Sequence, residues 1–396
     1  MHDTYTFRRR LARAGLALVV TLGVGACSET VVTVPGPAAD EPPADPVAAP
    51  SPDATCPPSQ YAAPPSGACA ALPSLTIARS NRTIAPARDH HTTHVIEVGG
   101  APYLYVFAGT DGWRSLHTDV QRAPIGPDGG LGAFENVGTL PEGRAGHCII
   151  VKGDRLFILG GVVGTERSGP SKSTLTARVG SDGKIVDVAE GPSLPIAVMH
   201  LTCAAHDDTL YAFGGRGVRS RSTTLSARAK MNADGTLGAF EDEAPLSPDR
   251  SHHATFVRNG RVYLMGGLTG DPTKTSIDRQ DVVSAEILAG GHLGPWTAAG
   301  ALASPLSVSA ALLRDDVVWV LGGYEGADAA GYTDRVQRGT FAKDGSIASF
   351  EVVDAKLPQG RAHVHQTPVY GKHLYSVAGK SSEQEPLGTI DIGTFE

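Results

Sequence analysis

Ten of the fourteen histidines in this chain of 396 residues stand in or beside one recurring column. The column holds His94, His147, His200, His253 and His365, with Ser309 at its remaining place. Each lies fourteen or fifteen residues before a glycine that recurs along the chain. The near neighbours are His90, His91, His206, His252 and His363. Arginine joins the pattern: Arg144 and Arg250 each precede a column histidine by three residues, and Arg361 lies just ahead of His365. Imidazole is a common metal ligand and a switchable cation, and guanidinium grips carboxylates with two parallel N–H bonds. Such a set could bind an anion, a carboxylated glycan or a metal. It could equally pack strands and cap backbone groups, since a position filled alike in several repeats serves what repeats share.

The elements that must position these residues are written six times. LYAFGG (210–215) has the siblings LYVFAG (104–109), LFILGG (156–161), VYLMGG (262–267), VWVLGG (318–323) and LYSVAG (374–379). The second glycines, Gly109, Gly161, Gly215, Gly267, Gly323 and Gly379, are 52 to 56 residues apart. Four residues before each stands an aromatic: Tyr105, Phe157, Tyr211, Tyr263, Trp319 or Tyr375. A period near 50 with several short strands per unit marks a propeller blade rather than a helical solenoid. The apolar runs suit strands sandwiched between neighbouring sheets. Turn dipeptides such as Asn259-Gly260, Asp128-Gly129, Asp182-Gly183, Asp234-Gly235 and Asp344-Gly345 divide each unit into strands A to D.

At these residues, over roughly 72–396, the chain resembles the Kelch family of β-propellers. The resemblance implies an all-β, six-bladed propeller over residues 71–396, with strand A innermost and its first residues around the central channel. The sixth repeat ends after strand C, so residues 72–84 are expected to supply its strand D and close the ring from both termini. Strand alternation puts the long, unlike B–C loops on one face with the D–A crossovers. Variety in loops on a rigid scaffold is the usual mark of a binding surface. Trp113, His117, Tyr324 and Tyr332 lie in those loops, where they could stack on sugars, anchor a partner or staple their own loop. Histidines spread around a channel are too far apart for the ~2.1 Å bonds of one ion. No metal and no cofactor is therefore expected, and the chemical reading is an anionic ligand with Arg144, Arg250 and Arg361 as bidentate donors. No nucleophile elbow, HExxH or phosphate loop occurs in the context it would need, so no catalytic residue is assigned. Kelch-like enzymes exist, however. Galactose oxidase needs a copper site with a Tyr–Cys crosslink, which Cys148 and Cys203 do not offer. An N-acetylneuraminate epimerase-like sugar isomerase, working at the channel mouth, is the alternative to a binding module.

The N-terminus reads as an address. Arg8, Arg9 and Arg10 precede a mainly apolar run from Leu11 to Val24, too short to span a bilayer comfortably. Val24-Gly25-Ala26-Cys27 resembles a bacterial lipobox, which implies a signal peptide over 1–26 and a lipid on Cys27. An ordinary signal peptide is the other reading. The expected location is the bacterial cell envelope, at the outer membrane. Residues 27–70 are rich in proline and alanine and predict a disordered, extended tether. Cys56 and Cys69 could form a disulfide in an exported protein or remain thiols. Cys148 and Cys203, in strands A of adjacent blades, are expected to be buried thiols, with an inter-blade disulfide as the alternative. A net charge of −7 with no basic stripe speaks against nucleic acid. The expected partner is a protein or glycan, and the expected state a monomer.

Overall fold

In a computed structural model, the chain is described over residues 60–63, 68–165, 169–271, 275–314, 316–326, 331–348, 350–381 and 385–396. Cys27, Cys56 and the lipobox lie outside these residues. Six four-stranded antiparallel sheets make the six blades of a β-propeller. In blade 1 the order from the inside out is Thr92–Val98, Ala101–Phe107, Asp119–Pro124 and Glu135–Thr139. Blade 6 is composite. Val369–Tyr370, His373–Val377 and Thr389–Phe395 are completed by Leu75–Thr83 from the other end of the chain, with Leu75 opposite Phe395. The expected closure is therefore present, and it gives the last strand the partner it would otherwise lack.

Apolar cores lie between blades rather than within them. One of them joins Tyr105, Phe107 and Val120 of blade 1 to Ile149, Leu156 and Ile158 of blade 2, and five similar clusters complete the circuit. The recurring tyrosines add a polar lock to this packing. Tyr105, Tyr211, Tyr263 and Tyr375 are buried, and each hydroxyl donates to a glycine carbonyl in the C–D turn of the next blade: Gly183, Gly291, Gly345 and Gly129, at 2.7 to 3.0 Å. Phe157 and Trp319 hold the same place by packing alone.

The second glycine of each run does a different job. At Gly109 a Cβ would stand 2.8 Å from the Asp89 carbonyl, and φ is +103°. Its N–H donates to the Arg144 carbonyl of the next blade at 2.8 Å, and the other five glycines repeat this contact with the blade that follows. Only a residue without a side chain lets the two backbones meet there.

Two expectations need correction. The segment read as tether over 27–70 contains structure at its end: Gln60–Ala63 pairs with Ala68–Ala71, and Tyr61 packs against the last inter-blade core. Cys69 is disulfide-bonded. Cys148 and Cys203 are not thiols but a disulfide, which ties the inner strands of blades 2 and 3 across 55 residues with Cα atoms 6.0 Å apart. Neighbouring inner strands converge on the channel, and that brings these two Cα atoms within bridging range.

Candidate site at the channel mouth

Just before each inner strand, one residue per blade joins a closed ring of backbone hydrogen bonds. His90 N–H donates to His363 O, Gly146 to His90, His200 to Gly146, His252 to His200, Val308 to His252 and His363 to Val308, at 2.7 to 3.2 Å. All six residues are left-handed, with φ from +50° to +62°. Left-handed backbone is uncommon outside glycine, and histidine is among the residues that tolerate it better than most. Four of the six positions are histidine. This is the column that matters, and it is not quite the one obtained by counting back from glycine. Only His200 is common to both, while His90, His252 and His363 were taken for neighbours.

The ring gathers the imidazoles. His200 stacks on His252 with centroids 3.9 Å apart, and His90 lies 4.2 Å from His363 and 4.9 Å from His200. His365, two residues deeper in blade 6, stands 5.8 Å from both His90 and His200. Asp89 accepts a hydrogen bond from Nδ1 of His90, and its second oxygen is buried without a partner. Burial raises the Asp89 carboxyl to about 6, against the opposing pull of His363, Lys380 and His365. The same burial holds His200, His252 and His363 well below the usual imidazole range, and His365 at about 4. Ring nitrogens of His200, His363 and His365 are buried with no hydrogen-bond partner. A buried polar atom without a partner costs stability, so a cluster of them asks for a role.

Trp113 comes over this cluster from the first B–C loop. Its ring is 4.6 Å from His90 and 6.1 Å from His200, and it also packs on Leu116, Ala145, Val162 and Met199. The other loop aromatics behave differently. Tyr324 and Tyr332 face each other edge to face at 5.6 Å across their own short hairpin, a local staple. His117 is half-buried, and its backbone N–H donates to the Gly109 carbonyl at 2.8 Å.

Inner-strand residues that follow the ring line a cavity of about 220 Å³, among them Thr92, Thr93, Thr202, His94, His147 and His365. His147 Nε2 meets the Thr92 hydroxyl at 3.2 Å, and His253 Nε2 meets that of Thr202 at 2.6 Å. These histidines thus tie neighbouring inner strands together. Burial depresses His147 and His253 well below the usual range and His94 to about 4.

The arginines are not donors at the mouth. Arg144, Arg250 and Arg361 are buried, and their guanidiniums already have acceptors within their own blades. Arg144 donates to Gly160 O at 2.6 Å and to the Ser173 hydroxyl at 2.9 Å. Arg250 donates to Gly266 O at 2.8 Å and Asp281 at 2.7 Å. Arg361 reaches Ala378 O and, at 2.7 Å, Asp391. Arg88 repeats the contact with Ala108 O and Asp119 in blade 1, a residue the sequence reading passed over. Each guanidinium thus spans the end of strand B and the start of strand C, which corrects the expectation of bidentate anion binding.

Repeats, closure and blade order together define a Kelch-repeat β-propeller. No family model matches the chain. Among curated proteins it is similar to Kelch-like protein 33 of Homo sapiens, 27% identical over 163 residues, covering 40% of this chain and 28% of that protein. It is also similar to Kelch-like protein 36 of Bos taurus, 23% identical over 235 residues, covering 48% of this chain and 37% of that protein. The chain thus spans about a third of the length of these curated relatives. Among solved structures, that of YjhT superposes with a TM-score of 0.60 at 12% identity, covering 79% of this chain and 99% of the other. That likeness concerns the fold alone.

Proposed function

We propose that this chain is a binding module of the bacterial envelope, tethered by a lipid on Cys27, that receives a protein or glycan ligand on its B–C loop face and at the channel mouth. The observation that carries the reading is Trp113 resting on a cluster of imidazoles in which His200, His363 and His365 each keep a buried ring nitrogen without a hydrogen-bond partner. A flat aromatic beside polar groups without partners is suited to stack on a ligand and hydrogen-bond its edge. The Cys148–Cys203 disulfide supports an exported location, because such bonds persist in oxidising compartments.

A second reading is favoured by one feature. Asp89, raised to about 6 by burial and hydrogen-bonded to His90, is poised near neutral pH as an acid–base group, as a sugar isomerase would require. One experiment separates the two. Full-length protein in detergent is titrated with a panel of sugar acids, N-acetylneuraminate included, and with peptides, following tryptophan fluorescence and melting. Binding should quench fluorescence in wild type and leave Trp113→Phe unresponsive. A panel in which nothing shifts either signal would reject the mouth as a ligand site. Accelerated anomer exchange of the sugar acid by NMR, lost in Asp89→Asn, would select the isomerase. For the anchor, Cys27→Ser should release the protein from membrane fractions, and retention of an acyl chain by that variant would overturn lipidation.

A further inference from the structure

Histidines spread evenly around a channel would be too far apart for one ion, but here three of them converge. His90, His200 and His365 come from blades 1, 3 and 6, yet one ring nitrogen from each lies within 4.8 Å of the others. Three nitrogens on a tetrahedral ion at ~2.1 Å stand about 3.4 Å apart. Side-chain rotations that move ring atoms by about an ångström would close the set, well within rotamer adjustment for rings whose backbone is fixed. Two of the three, His200 and His365, hold a buried ring nitrogen with no hydrogen-bond partner. The third is oriented by a carboxylate: Asp89 engages Nδ1 of His90, the arrangement that typically fixes a metal-binding imidazole and turns Nε2 toward the ion. His252 and His363 pack against His200 and His90 and wall the group in.

We propose that His90, His200 and His365 hold one divalent cation of borderline softness, zinc or a neighbouring first-row metal, on the propeller axis. Asp89 orients His90, and one coordination position stays open to water or an incoming anion. All-imidazole ligation suits zinc, nickel or copper and not magnesium or calcium, which take oxygen ligands. An open fourth position distinguishes such a centre from a closed structural one.

The test uses the full-length, untagged chain in detergent after chelator treatment, titrated first with Co²⁺ and then with Zn²⁺. One equivalent of Co²⁺ should give the visible absorption of a four-coordinate nitrogen-rich site, and Zn²⁺ should displace it. His365→Ala and His90→Ala should each weaken Zn²⁺ binding by about 100-fold or more, and Asp89→Asn by about 10–100-fold. His206→Ala, at a strand end away from the mouth, should bind like wild type. Absence of the Co²⁺ bands in wild type overturns the proposal, as does wild-type affinity in a folded His365→Ala protein. Should the alanine variants fail to fold, X-ray absorption on the wild-type Zn²⁺ complex decides: three imidazoles support the site, and fewer overturn it. Metal binding is read here without any organic ligand. A failure to bind Zn²⁺ therefore leaves the loop-face reading standing, and a silent ligand panel leaves the metal centre standing.

Discussion

Four arginines and four histidines recur in the same short crossovers before the inner strands, yet the protein treats them in opposite ways. Arg88, Arg144, Arg250 and Arg361 are deeply buried, and each has carbonyl and side-chain acceptors in its own blade. The mouth histidines include nitrogens that are buried with nothing to bond. Recurrence alone does not separate scaffold from site, because both sets recur. The bonds they make differ. Each guanidinium commits its terminal nitrogens to acceptors in its own blade, although Nε of Arg144 and of Arg361 is buried without a partner. His200, His363 and His365 instead gather nitrogens with no protein partner at one place on the axis.

The comparison breaks most readily at Arg361. Arg361→Met leaves the Ala378 carbonyl and one edge of buried Asp391 without the guanidinium donor, while the Thr389 carbonyl keeps the Ala378 N–H. Stability should fall by about 3–5 kcal/mol, as when one member of a buried ion pair is removed. Chemical denaturation measures this, and a normal midpoint combined with lost ligand binding would reverse the roles assigned to the two sets.

A smaller effect belongs to the inner-strand histidines. His94 is held near 4 and His147 and His253 well below the usual range, so all three are neutral in the fold and take up protons on unfolding below about 6.5. Their folded values are depressed, so the unfolded chain binds more protons and stability rises with pH across this window. It should be complete above pH 6.5 and fall toward pH 4, by about 3 kcal/mol for His94 alone. His94→Gln should flatten that acid limb by up to one proton in the pH dependence of the denaturation midpoint. An unchanged limb would show that His94 titrates normally.

Much of this was legible in the sequence. The aromatic and glycine columns announced six blades, and the short sixth repeat announced a strand from the N-terminus, because each signal is local and repeats without interruption. The mouth was only half legible. Blade 1 opens with paired strands of seven residues where blade 2 has five, so counting back from Gly109 lands on His94 and misses His90. The doublets His90-His91 and His252-His253 were the available clue, since the first member of each takes the left-handed turn, while His253 bonds the Thr202 hydroxyl of the neighbouring inner strand. The arginines were found but misread. Spacing gives proximity to the mouth, whereas their acceptors are backbone carbonyls at the end of strand B and side chains near the start of strand C, a grouping that spacing alone does not display.

The smallest predicted change sits in the ring itself. Gly146 shows that its left-handed position accepts glycine, so His252→Gly should alter stability by less than about 1 kcal/mol while stripping one imidazole from the mouth. A loss of several kcal/mol would mean that the His252 side chain is part of the frame after all, and the contrast with the arginines would collapse on that side.

The ring's six bonds also run in one rotational sense, each residue donating to the blade before it and accepting from the blade after. Such a loop has no end at which to fray, and each bond polarises the next. It cannot dilate by opening at one point without tearing its neighbours, so the entrance is an aperture of fixed gauge rather than a flexible lip. Whatever reaches the axis must already be slender enough to pass, and bulk has to be accommodated above it, among the loops.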